Sequence, residues 1–187
     1  MSCAAKSTDI CMTCKNRKGK GYELDISRKL CFLGNRLGFE VEDEWTPPKL
    51  IKQFSRRQKY LPRIDLVWYR KAGSFHEFIS QFEDQNVLPA YIDTTKAIVI
   101  GFELELSDRP TKYILGDISN LSRICTYGFI VMKNVENMIK RSRKASKTFS
   151  ELHGSSRVFI INPENLQEII EKISSQENFK NNLQKTN

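Results

Sequence analysis

AIVIGFELEL, residues 97–106, is the stretch on which the reading of this chain turns. Its run of Ile, Val and Phe predicts a strand. Successive side chains in a strand point to opposite faces, so Ile98, Ile100, Phe102, Leu104 and Leu106 are expected on one face. Ala97, Val99, Gly101, Glu103 and Glu105 are expected on the other. Both faces begin apolar, as in a central strand covered on both sides, and one then turns into two carboxylates. Upstream, RIDLVWYR (residues 63–70) predicts a second strand, with Ile64, Leu66 and Trp68 on one face and Asp65, Val67 and Tyr69 on the other. Asp65 is again a single acid in an apolar setting.

If these strands pair, Asp65, Glu103 and Glu105 share one face of a sheet. Burying an ionised carboxylate is expensive unless it is paired or bound to metal, and three together raise one another's pKa. A divalent cation offsets this, and oxygen ligands suit Mg²⁺. The pattern therefore predicts a metal site at the end of two central strands. The competing readings are that Asp65 pairs with Arg63 or Lys71, and that Glu103 and Glu105 face solvent from an edge strand. Val99, on the acids' own face, weighs against the second.

Outward from these strands, Ile26, Leu30, Leu33 and Leu37 repeat at helical spacing and predict a helix over 22–38, with Gly38 as its stop. At about 100° per residue, Glu23 falls at the margin of that stripe. A first-turn acid also complements the helix dipole. FEVEDEW (39–45) reads as a short strand broken by Thr46-Pro47-Pro48, and 49–60 as a basic short helix or loop. Residues 71–95 are a long irregular insertion of the kind that is usually functional or carries small elements of its own. A helix over 111–124, a strand over 126–132, a basic helix over 134–152 and a strand over 156–161 follow. Asn162-Pro163 then opens a helix running to about residue 175, with Asn as cap and Pro at the first position. The division is a basic arm (1–20), one domain (21–175, with the insertion at 71–95) and a polar tail (176–187). The alternation of strands and helices predicts an α/β domain with a mixed sheet flanked by helices.

Composition narrows the function. The chain has 187 residues, 30 Lys and Arg against 22 Asp and Glu, and a net charge of +8, an excess that favours polyanions such as DNA. No apolar run reaches the roughly 20 residues of a membrane-spanning helix. The first residues lack the apolar core of a signal peptide, so an intracellular, cytoplasmic protein without a membrane partner is expected. Five cysteines, an odd number, argue against a disulfide framework. Cys11 and Cys14 form a CxxC that reads as half a zinc site, a redox pair or an incidental reduced pair. The spacing of Cys3 and Cys31 completes no standard zinc ribbon, which favours the last. His76 and His153 sit in no ligand-like constellation.

Taken together, Glu23, Pro62-Arg63-Ile64-Asp65 and Glu103-Leu104-Glu105 resemble the PD-(D/E)XK (restriction-endonuclease-like) nucleases, particularly their Glu-x-Glu branch. The resemblance covers roughly residues 22–132 and implies an αβββαβ core. It further implies hydrolysis of DNA phosphodiester bonds with Mg²⁺ or Mn²⁺. In that reading Asp65, Glu103 and the Leu104 carbonyl hold metal, and Glu105 joins the metal shell or accepts a proton from the attacking water. Glu23 orients water or a second metal. The motif lysine is replaced by Glu105, and Lys112 is the candidate for the missing positive charge. Lys140, Arg141, Arg143, Lys144 and Lys147 of the basic helix, with Arg56 and Arg57, are the candidate DNA contacts. Lys140, Lys144 and Lys147 share a helix face. Small archaeal Holliday-junction resolvases share this fold, size and basicity and act as dimers; a restriction, repair or virus-encoded endonuclease fits equally well. The rivals are a non-catalytic nucleic-acid binder with a decayed nuclease core and a zinc-bearing interaction module.

Overall fold

A computed structural model describes residues 21–48, 61–71, 73–82, 93, 95–107, 110–133, 136–153 and 157–184. Within them the chain runs α1 (Tyr22–Arg36), β1 (Glu40–Trp45), β2 (Ile64–Lys71), α2 (Ser74–Ser80), β3 (Lys96–Glu105), α3 (Thr111–Ile124), β4 (Tyr127–Met132), α4 (Glu136–His153), β5 (Val158–Ile161) and α5 (Pro163–Gln184). The protein is α/β, with one open mixed sheet in the order β1-β2-β3-β4-β5. β1, β2 and β3 are antiparallel neighbours, whereas β4 and β5 join in parallel. A parallel neighbour needs a crossover, and α3 and α4 supply the two.

Helices cover both faces. α1 and α5 bury Ile26, Leu30, Leu33, Leu166 and Ile170 against Val41, Leu66, Trp68, Phe102, Leu104 and Val131. α3 and α4 bury Ile114, Ile118, Leu121, Met138 and Ala145 against Ile64, Val67, Ile98, Ile130, Met132 and Val158. Replacing a fully buried leucine such as Leu30 or Leu121 by alanine costs about 2–5 kcal/mol. The acidic edge strand β1 is tolerated because cations of its neighbours reach it: Arg63 pairs with Glu44, Lys71 with Glu40 and Lys96 with Glu42.

Several expectations shift. Leu37 falls outside the first helix as its C-cap, and Gly38 ends the element in the left-handed region at φ 79°. The insertion at 71–95 contains the short helix α2. The last helix opens as expected, with the Asn165 amide donating to Asn162 Oδ1 at 2.7 Å, but it continues to Gln184 through most of the expected tail. The strict two-residue alternation of β3 fails at its start. Trp68 pairs with Ile100 and Tyr69 with Ile98, leaving Val99 as an extra residue in the ladder. Such a bulge swaps faces: Ile98 packs under α3 and α4 whereas Ile100 packs toward α1. Cys31, buried in α1, is disulfide-bonded; among the described residues Cys125 is free. Cys11, Cys14, Arg56 and Arg57 lie outside the described residues.

Candidate active site

Beyond the bulge the alternation of β3 holds. Phe102 and Leu104 face α1, while Gly101, Glu103 and Glu105 face α3 and α4. The neighbours on β4 agree: Glu103 pairs with Ile130 and Glu105 with Met132, both in the core under α3 and α4. Because β3 lies between β2 and β4, these acids do not reach solvent; Glu103 is 5% exposed and Glu105 3%.

The β2–β3 ladder stops at Leu66 opposite Phe102. One more step of that register sets Asp65 across from Glu103. There the Asp65 side chain takes over from the backbone, its Oδ2 accepting the Leu104 amide at 2.8 Å. Neither cation considered as a partner for Asp65 is used that way, since Arg63 goes to Glu44 and Lys71 to Glu40. The ordinary peptide pairing thus ends where the acids begin, and Asp65 is half-buried at that junction.

A fourth carboxylate joins from above. A Cβ on Gly101 would meet Leu121 Cδ2 at 2.8 Å, and one on Gly128 would meet Leu121 Cβ at 2.7 Å. These two glycines let α3 press Leu121 onto β3 and β4. Since β4 is parallel to β3, the crossover helix runs back against them. One turn before Leu121 is about 6 Å of helix, and two residues beyond Gly101 are about 6.6 Å of strand. Asp117 therefore stands over Glu103, half-buried between Ile114 and Leu121.

Electrostatics follow from this geometry. Burial first, then the negative charges of Asp65, Asp117 and Glu105, hold the Glu103 carboxyl well above the usual carboxylate range. Only the Asp65 backbone amide acts in the opposite sense. Among the described residues, no positive charge acts on Glu103, and its Oε1 is buried without a hydrogen-bond partner. Burial, with Glu103 adding to it, also pushes up the nearby Cys125 thiol. The donor set is all oxygen, the kind that suits a hard divalent cation. Among the described residues, no three acid, His or Cys side chains are arranged to enclose a metal ion.

Of the sequence-predicted residues, the structure brings Asp65, Glu103 and Glu105 together, with the Leu104 amide engaged by Asp65. It separates two others. Glu23 lies on α1, over the opposite face of the sheet from Glu103 and Glu105. Lys112 is exposed in the first turn of α3, its ammonium 5.1 Å from the Tyr113 ring. Asp117 was missed. Its signal was an acid interrupting the apolar stripe of Ile114, Ile118 and Leu121. On α4, Lys140 pairs with Glu136 at 2.6 Å and Lys147 with Glu151 at 3.8 Å. Arg141 is half-buried, its Nε donating to the Asn137 carbonyl at 3.3 Å. Arg143 and Lys144 are exposed.

Comparison of the chain with known protein families, with curated proteins and with solved structures returns no match. Among the described residues, no helix is long and apolar enough to cross a membrane.

Proposed function

We propose that the protein is a metal-dependent endonuclease of DNA, built on a restriction-endonuclease-like αβββαβ core from α1 to β4. The observation that carries the reading is a pair of buried glutamates on a central strand, with Asp65 opposite them where the β2–β3 ladder ends. A fold gains nothing from four carboxylates crowded under one helix, because each raises the cost of ionising the next. A divalent cation removes that cost. The elements from α1 to β4 support this reading with α2 inserted between β2 and β3, as does the position of Asp65 across from Glu103.

In this reading Asp65, Glu103 and the Leu104 carbonyl would hold Mg²⁺ or Mn²⁺, with Asp117 replacing the helix acid that Glu23 does not bring to this face. The side chains would swing together to do so. When bound, the metal would polarise the scissile phosphate and lower the pKa of water. The protein's own part is positional. The Leu104 amide fixes the Asp65 carboxylate, β3 fixes Glu103 and Glu105, and Leu121 seats α3 so that Asp117 lies above them. Glu105, where the motif lysine would stand, is the proton acceptor or a further ligand. The cations of α4 would hold the phosphate backbone; being exposed and flexible, they suit contacts that recognise charge rather than sequence.

The test is cleavage of plasmid and four-way-junction DNA with Mg²⁺ or Mn²⁺ by the wild type, Asp65→Asn and Glu103→Gln. Metal-dependent cutting lost in both variants is the expected result. The placement of Lys112 away from the acids favours one alternative, a non-catalytic DNA binder. Salt-sensitive DNA binding with no cutting under any divalent metal would establish that instead.

A further inference from the structure

Among the described residues, β5 has a strand neighbour on one side only and forms an edge of the sheet. Two features meet there. On the α1 face an aromatic row crosses the sheet through Trp68, Phe102, Phe129 and Phe159, with centroids 5.0, 5.5 and 5.4 Å apart. It ends in the open: Phe159 is 50% exposed, and Tyr127, 6.5 Å from it, is 46% exposed. On the α4 face, a shallow groove of about 380 Å³ runs beside the same strand, lined by Arg143, Ser146, Lys147 and Ser150 opposite Val158, Phe159 and Ile160.

We propose that this edge binds an unpaired stretch of DNA, with bases stacked on Phe159 and Tyr127 and phosphates held by Arg143 and Lys147. The proposal rests on the reading of nucleic acid as the ligand and names the form that the ligand takes. Bare aromatic rings reward stacking with any base, whereas a duplex keeps its base faces covered. The rings and the cations stand on opposite faces of the edge strand, so base and phosphate would part around it. The groove also lies in register with the acids, since Glu103 pairs with Ile130 and Ile130 with Ile160. Two strand spacings, about 10 Å, separate them on the same face. A second copy of this chain is the less suitable occupant. β5 offers only four residues for edge pairing, and symmetric pairing would bring two sets of α4 cations together.

The experiment measures binding of fluorescein-labelled oligo(dT) and of a matched duplex to the full chain by anisotropy. EDTA is present throughout, so that absence of cleavage has no bearing on the result. Phe159→Ala is expected to weaken oligo(dT) binding about tenfold while duplex binding changes less than about twofold. Phe159→Trp, which retains a stacking surface and keeps the site filled, is expected to restore it. Arg143→Gln with Lys147→Gln is expected to lower the salt slope on oligo(dT) by about 1.4, at about 0.7 per cation. Equal oligo(dT) binding by the wild type and Phe159→Ala would overturn the proposal. So would sedimentation of the wild type as a dimer that Phe159→Ala converts to a monomer, which would assign the edge to a second copy.

Discussion

In metal-free buffer at neutral pH, replacing Glu103 by Gln should stabilise the protein. Gln has nearly the same shape and keeps an oxygen to accept the Asp65 amide, but it carries no charge. The wild-type carboxyl is 5% exposed, and burial first, then the charges of three other acids, hold it well above the usual carboxylate range. A raised folded-state pKa fixes the sign. Glu103 contributes its full stability below the unfolded value, and that contribution is lost as pH rises through the folded value. The loss is bounded, because the group can always keep its proton. At about 1.4 kcal/mol per pH unit, the cost at pH 7 is at most about 3.5 kcal/mol. For a domain of this size, 1 kcal/mol moves Tm by about 2–4 °C. Thermal melts in EDTA should therefore place Glu103→Gln above the wild type at pH 7 by up to about 14 °C, with the gap closing as pH falls toward 4.5. Mg²⁺ should then raise the wild type, by about 2.7 kcal/mol at a hundredfold excess over Kd, and raise the variant far less. A lower Tm for Glu103→Gln at pH 7 without metal would refute the reasoning, since it would mean that the ionised carboxylate is satisfied by the fold alone.

Three further outcomes separate structure from chemistry. Asp65→Asn keeps an oxygen for the Leu104 amide and should unfold in urea within about 1 kcal/mol of the wild type, whereas Asp65→Ala orphans that amide and should lose about 1–3 kcal/mol; both should lose cleavage. Gly101→Ala drives a methyl group into Cys125 Sγ and Leu121 and should cost about 1–3 kcal/mol in the same assay. Lys112→Ala should leave the cleavage rate within about twofold, because its ammonium sits on the Tyr113 ring in solvent.

What the sequence made legible was whatever depends on near neighbours. Strand 97–106 is β3 within a residue, 63–70 is β2 within a residue, and the Asn162-Pro163 cap opens α5 where its chemistry requires. The three strand acids were visible because charge in an apolar strand is a local anomaly. What was hidden depends on the third dimension. Val99 as a bulge residue is decided by how Tyr69 and Ile98 pair across β2 and β3, so strict alternation misassigned Ile98 and Ile100 to a common face. Glu23 lies near the correct stripe of its helix, but the stripe faces the other side of the sheet. Nothing in a single helix states which side it will cover. Asp117 was readable in principle as an acid in an apolar helical stripe, the same anomaly that exposed Asp65, once the search extends beyond strands.

The same packing that hides the acids also sets their spacing. α3 can approach β3 only because positions 101 and 128 lack side chains; Leu121 fills the space at both, with Cys125 Sγ closest at 101. Its depth there fixes the height of Asp117 over Glu103 one turn away. The site's dimensions are thus inherited from a glycine–leucine contact that touches no substrate. Removing Glu103's charge should stabilise the fold, whereas enlarging Gly101 should destabilise it and also lift Asp117 away. A Gly101→Ala protein that remains folded at low temperature should therefore bind Mn²⁺ more weakly than the wild type. Asp117→Asn should weaken Mn²⁺ similarly. If Gly101→Ala bound Mn²⁺ as the wild type does while Asp117→Asn did not, the helix would not be what positions the fourth carboxylate.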